Sequence, residues 1–375
     1  MSFRELTTVS APFFYGRLTV LTKGGVTVEP LDLIHLLSDQ QPRRLRVIEN
    51  LLRGRRTVST LYWGQRYGLL YLLDLDKALD RGGLDVVARQ VVAQKWATWV
   101  ADEQPVLQLT ATGVRAQAAH PTYQPVTWER WSQVDLNAAR QRLLLAIQVV
   151  SEYVHQTKRY YPLATDLPTR QAVRSWFYRM RRPELASTML QALQNSLEQL
   201  PEPVAAVTTA GLTGFHQPGL TTQQLAGDLD QTAWEVYLMH VDAVVTIAAA
   251  ARQPDHPLNG LLATTWTSPV TRSAQATLAA VTAGGSLDQV AHQRKIKPST
   301  AREHLLEAAI MLPLTAIPYQ RLIPPADRTA LLAALPVDLN AWEYTALSPE
   351  LQHRYDFFTF RLLAIWEGKR GAQRE

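Results

Sequence analysis

Cysteine is absent from this 375-residue chain. That removes disulfides, thiol nucleophiles and thiolate-bound zinc together, and it leaves the compartment open while fitting the cytoplasm. Charged residues are sparse, at 19%. The longest apolar run, Ala243 to Ala251 with Thr246 inside it, is far short of a membrane span and reads as a core helix, so no membrane association is expected. Met1 to Ser10 has no apolar stretch behind a basic start, and no secretory signal is expected there. The sequence also lacks a phosphate-binding G-x-x-x-x-G-K-[ST] loop, a G-x-G-x-x-G after a strand, H-E-x-x-H and G-x-S-x-G. Its nine histidines lie far apart. The two close acid–imidazole pairs, His240 with Asp242 and Asp255 with His256, read as structural or surface features, because His240 and Asp242 would face different sides of a helix and the second pair sits in a proline-flanked loop. No catalytic, metal or cofactor site is expected, and the chain reads as a non-enzyme.

What is present is a 46% apolar chain, long enough for two or three cores. The formal charge of +5, mostly from arginine, gives only a weak general pull toward polyanions, so local clusters matter more than the sum. The most informative segment runs from Gly284 to Leu312. Gly284 and Gly285 end a helical stretch spanning Thr271 to Ala283, and Ser286 is a natural N-cap for a helix starting at Leu287. Leu287, Val290 and Ala291 make one apolar stripe, and Ala291 is small where two helices must cross closely. Ile296 is expected to plug the turn and Pro298 to open a second helix, along which Ala301, Leu305, Ala308 and Leu312 face inward. Helix, tight turn and second helix at this spacing make a helix-turn-helix, although an ordinary helical hairpin would read the same way. In the helix-turn-helix reading Ser299, Thr300 and Arg302 are the base-proximal candidates, with Lys295 and Lys297 over the sugar-phosphate backbone. Glu303, and Glu307 one turn on, oppose that role if they face DNA, because phosphates repel carboxylates. His304 reads as a packed histidine on the inner side, and Arg294 as a stem buried with its guanidinium at the surface.

The run Leu287 to Arg294, then Ile296 to Thr300, then His304-Leu305, resembles the helicase-associated helix-turn-helix module at the C-terminus of some RecQ-type helicases. The same module ends the free-standing YpbB-like proteins of low-GC Gram-positive bacteria. Arg294 stands where general helix-turn-helix proteins have an apolar residue and is typical of this narrower group. Lys295 replaces a common turn glycine, and Ala301 a usual valine or isoleucine. Leu51 to Trp63, Gly219 to Ala226 and Tyr355 to Leu362 are similar to the family's other segments in the expected order. The resemblance implies a bacterial cytoplasmic accessory to a RecQ-like helicase.

Two basic clusters lie upstream. Arg53, Arg55 and Arg56 precede a helix opened by Thr57 or Ser59 and are further candidates for DNA contact. Arg170, Arg174, Arg179, Arg181 and Arg182 surround Trp176, Phe177 and Tyr178; that pattern suits single-stranded nucleic acid, but a core stripe of Trp176, Phe177 and Met180 with a solvated arginine edge explains it better.

The expected fold is mainly α and multi-helical. Helices over 43–52, 59–73 and 84–99, followed by an alternating strand from Val106 to Thr110 with Leu109 inward, suggest a winged-helix-like N-terminal domain over 1–120 with a small β-hairpin, its wing between Val100 and Val106; a plain helical bundle with a hairpin is the alternative. A helical region over 127–200, a helical middle segment over 215–260, and a helix-turn-helix domain with C-terminal helices over 268–375 complete the division. Residues 198–218 read as a linker and 368–375 as a frayed tail. The expected function is a non-catalytic accessory protein of a RecQ-like DNA helicase, binding DNA, the helicase or both. A sequence-specific transcription regulator and a pure protein adaptor are the alternatives, and the oligomeric state stays open.

Overall fold

The computed structural model describes residues 28–101 and 105–372 and is mostly helical. It divides into two units: Leu75–Thr267 groups with the chain before Arg43, and Arg43–Asp74 joins Ser268–Glu375. The 1–120 segment expected as one domain is therefore split. Its first two long helices belong with the C-terminal residues.

The first unit is built around two long helices, Leu136–Val154 and Ala233–Ala250, packed against each other. Thr232 caps the second through a reciprocal box with Glu235. Ala233–Ala250 is the one helix among the described residues long and apolar enough to cross a membrane, and 72% of it is buried within the fold. Its interior carboxylate, Asp242, is fully buried and accepts from the Tyr123 hydroxyl (2.6 Å), the Val126 and Thr127 amides (2.7 and 2.9 Å), the Thr127 hydroxyl and the Trp131 indole (3.0 Å). Five donors satisfy the buried carboxyl group, and they tie the proline-bearing segment 121–127 to the core.

The hairpin of this unit pairs Ala97–Ala101 antiparallel with Val106–Leu109, with an irregularity between Trp99 and Ala101. Of the wing expected between Val100 and Val106, residues 102–104 lie outside the described residues, as does 1–27. The helix expected over 84–99 stops at Ala93, because Lys95 turns left-handed (φ +60°) and Thr98-Trp99-Val100 is a β-branched and aromatic run suited to a strand. After the strand, Thr110 caps a further helix, Ala111–Ala119, and its hydroxyl also donates to the Lys95 carbonyl at 2.6 Å. The segment 198–218 is not a plain linker: Glu202–Ala210 is helical, and its prolines fall at the cap and first turn, where a missing N–H costs nothing.

In the helix Leu167–Met180 the core stripe is Val173 and Trp176, whose indole donates to the Pro257 carbonyl at 2.9 Å. The arginines around it are solvated, and Arg174 and Arg181 flank the exposed ring of Tyr178.

The second unit holds the helix-turn-helix. Its segment Arg43–Asp74 contributes helices Leu45–Leu52 and Val58–Arg66; the latter ends before Gly68 (φ +69°), short of the expected Leu73. Val58–Arg66 packs against the helix Pro298–Met311, as does the C-terminal helix Phe357–Ala372. Beyond Pro324 the helices Pro325–Ala334 and Pro349–Arg354, with two short 3-10 turns between them, lead to the C-terminal helix, and Tyr344, Phe357 and Phe360 knit this region, with Tyr344 edge-on to Phe357 at 5.5 Å. The tail does not fray at Gly368. The helix runs to Ala372, and Lys369 donates to the Leu312 carbonyl at 2.5 Å.

Candidate nucleic-acid interface

Three helices form the candidate site: a support helix, Arg272–Thr282, a first helix, Leu287–Gln293, and a second helix, Pro298–Met311. Gly284 adopts φ +112°, a conformation that suits glycine, so the chain can reverse directly after the support helix. Ser286 and Gln289 then cap each other's backbone amides at 3.2 and 3.0 Å and fix the start of the first helix. Val290 and Ala291 are buried, and Ile296 is half-buried inside the turn. Ala301, Leu305 and Ala308 are all fully buried, with Leu312 at the margin. The expected stripes are those of the structure.

The turn itself is left-handed at Lys295, with φ +53°. The Lys295 amide donates to the His292 carbonyl at 3.1 Å and the Ile296 amide to the Ala291 carbonyl at 3.0 Å, closing the first helix. Lysine thus takes the conformation for which glycine is better suited, and its side chain stands exposed. Lys297 caps the second helix by backbone only, without a side-chain hydrogen bond, and it too is exposed, as is Ser299; Thr300 is half-buried. The start of the second helix therefore presents two ammonium groups, a hydroxyl and first-turn amides with no side-chain cap, an arrangement matched to phosphate oxygens.

Arg302 is engaged. Its guanidinium lies 3.5 Å from the Asp356 carboxylate, in a pair that is about half exposed. Asp356 also caps the C-terminal helix by accepting from the Thr359 amide at 2.9 Å. Glu303 is exposed, as expected, but Glu307 is not on the outer face. It is buried and accepts from the amide and the hydroxyl of Thr271 at 2.8 and 2.9 Å, because the start of the support helix packs over that turn of the second helix and covers it. Arg294 is half-buried, and its guanidinium, at the margin, donates to the Ser273 carbonyl at 2.9 Å and to the Thr277 hydroxyl, fastening the first helix to the support helix. Thr277 also meets the Nδ1 of His304 at 3.0 Å. Burial holds the His304 imidazole below its usual pKa, and the nearby Arg294 cation adds to this.

The basic cluster at 53–56 belongs to the same unit, yet its members differ. Arg56 pairs with Asp74 at 3.4 Å and donates to the Pro269 carbonyl; Arg53 lies 3.7 Å from the buried Glu49. Only Arg55 of the three is exposed. Sequence reading missed Asp356, although an aspartate three residues before Thr359 is an N-cap signal. Nothing local in sequence could have matched Glu307 to Thr271, 36 residues away.

Comparison with known proteins agrees with this geometry. Residues 273–364 match the family model of a helix-turn-helix domain. The chain is 25% identical over 224 residues to Protein YpbB of Bacillus subtilis, a match covering 59% of this chain. It spans 63% of that relative's length, less than two thirds of it. No solved structure matches. The C-terminal part of this chain is a helix-turn-helix domain, set in a mostly helical protein that is similar to Protein YpbB.

Proposed function

We propose that this protein is a non-catalytic, cytoplasmic accessory factor of a RecQ-like DNA helicase, serving DNA repair and recombination by binding DNA, the helicase or both through its helix-turn-helix. The observation that carries the DNA part is the exposed leading edge of Pro298–Met311, where Lys295, Lys297 and Ser299 surround first-turn amides without a side-chain cap. The helicase part rests on the resemblance of Leu287 to Leu305 to the helicase-associated module. The winged-helix-like reading of the N-terminal hairpin belongs to the same proposal, as a second candidate surface for DNA or partner.

The direct experiment measures affinity for forked, single-stranded and duplex oligonucleotides across a salt series, with and without the helicase. Neutralising Lys295, Lys297 and Arg302 together should flatten the salt dependence. Unchanged binding across the series would remove those residues as phosphate contacts. An operator-reading regulator would instead protect a short palindrome in footprinting of genomic fragments.

A protein-adaptor reading is favoured by one specific observation. Arg302 is already neutralised by Asp356 and lies next to the exposed Glu303, so this stretch of the edge is less cationic than its sequence suggests. Capture of the helicase with no measurable DNA affinity at low salt would support it.

A further inference from the structure

The first unit holds a partly open cavity of about 70 Å³ beside Leu136–Val154 and Ala233–Ala250. Its walls are largely aliphatic, with Leu144 and Ile147 from the first helix and Val244 and Ile247 from the second. Besides the threonines Thr208, Thr209 and Thr222, two ionisable groups interrupt them, and each holds the same place in its own helix. Arg140 stands one turn before Leu144 and two before Ile147, and His240 stands one turn before Val244 and two before Ile247. The cavity thus has an apolar body with a guanidinium and an imidazole set into its lining.

Neither polar group is satisfied by the protein. Among the described residues no carboxylate pairs with Arg140 and no acceptor takes its hydrogen bonds; burial lowers its pKa, against the raising effect of Tyr237. The Nδ1 of His240 has no hydrogen-bond partner, and its Nε2 has only a long 3.4 Å contact with the Val207 carbonyl. Burial, with Arg140 adding to it, pushes the His240 imidazole down to about 4. Both side chains keep some accessible surface although protein surrounds them, and both line the cavity. Folded proteins seldom leave such groups unpaired, because an uncompensated buried charge is costly.

The rest of the lining limits what can fill the space. The hydroxyls of Thr208 and Thr209 are spent on the carbonyls of Val204 (2.7 Å) and Ala205 (3.0 Å), so few donors remain for a multiply charged anion. Gly211 leaves room beside the imidazole, since a Cβ there would come within 3.1 Å of the His240 Nε2. A volume of this size accommodates roughly five waters, or an aliphatic chain of similar bulk.

We propose that this cavity binds a short-chain aliphatic monocarboxylate, its head group held in the fork of Arg140 beside His240 and its tail against Leu144, Ile147, Val244 and Ile247. A guanidinium presents parallel donors that match one planar carboxylate, and the aliphatic wall selects against a fully polar ion such as phosphate. The site lies in the first unit and does not depend on the helix-turn-helix.

The test is calorimetric titration of the full chain with pentanoate, pentanamide, butylamine and inorganic phosphate. Saturable one-to-one binding of pentanoate, at least about tenfold tighter than the amide, is expected, as is an at least tenfold loss in Arg140→Met. That variant removes a half-buried charge that has no carboxylate partner among the described residues while keeping an apolar stem, so it should fold at least as well as the parent. Leu144→Trp, which fills the cavity and leaves Arg140 in place, should abolish binding while circular dichroism stays unchanged. No saturable pentanoate binding at millimolar concentration, equal binding of the amide, tighter binding of phosphate, or unaltered affinity in Arg140→Met would each overturn the proposal.

Discussion

Glu307 accepts two hydrogen bonds from Thr271, one from its amide and one from its hydroxyl, and so joins the second helix of the helix-turn-helix to the first turn of the support helix. The carboxylate is buried, and removing it strands both donors. Glu307→Ala should lower stability by about 1 to 3 kcal/mol, the cost of an unsatisfied buried pair, as read from the urea midpoint at unchanged slope. A variant with the parental midpoint would show that the cap contributes nothing.

Lys295 holds two roles that one substitution separates. Glycine adopts φ +53° without the Cβ penalty, so Lys295→Gly should raise stability by roughly 0.5 to 1 kcal/mol. The same change deletes a cation at the turn. Under the DNA-binding reading it should reduce the salt slope of affinity by about one, so that the protein melts higher while binding more weakly.

Arg55 and Arg56 are adjacent in sequence and opposite in consequence. Arg56 is tied to Asp74 and to the Pro269 carbonyl, so Arg56→Ala should cost about 1 to 2 kcal/mol on denaturation. Arg55 is exposed, and Arg55→Ala should leave the midpoint within about 0.5 kcal/mol. If this face meets DNA, Arg55→Ala is the change that weakens binding.

The pair between Arg302 and Asp356 restrains a candidate DNA contact. Asp356→Asn keeps an N-cap side chain for the C-terminal helix and withdraws the charge. DNA affinity should rise and its salt dependence steepen. A flat response would place Arg302 outside the interface and strengthen the adaptor reading.

Lys369 gives an alkaline signature. Burial lowers its pKa from 10.5 to about 8. Between those values the unfolded chain carries a proton that the folded chain has released, so stability should rise with pH across that window. Below pH 8 both states hold the proton and the cost of the buried charge is fully present. Tyr319, whose phenol burial raises, acts in the opposite direction above about pH 10, so the comparison should be made with Lys369→Met, which ought to lose the rise between pH 8 and 10.

The sequence by itself determined the helix-turn-helix. Ser286 and Gln289 cap within one turn, Gly284 reverses the chain, and Ala291, Ala301, Leu305 and Ala308 recur at helical period, all of them signals that span only a few residues. Local hydrogen bonding and periodicity are enough to fix such elements. Which charged groups remain free was decided only by the tertiary structure. Arg294, Arg302, Arg56 and Glu307 look alike as surface residues in sequence, yet their partners Thr277, Asp356, Pro269 and Thr271 lie 17 to 213 residues away along the chain, or 54 for the Arg302 pair. The same holds for Arg140 and His240, which line one cavity because two helices about a hundred residues apart pack together. Pairing across such distances depends on how elements come together in space, and hydrophobic period carries no record of it.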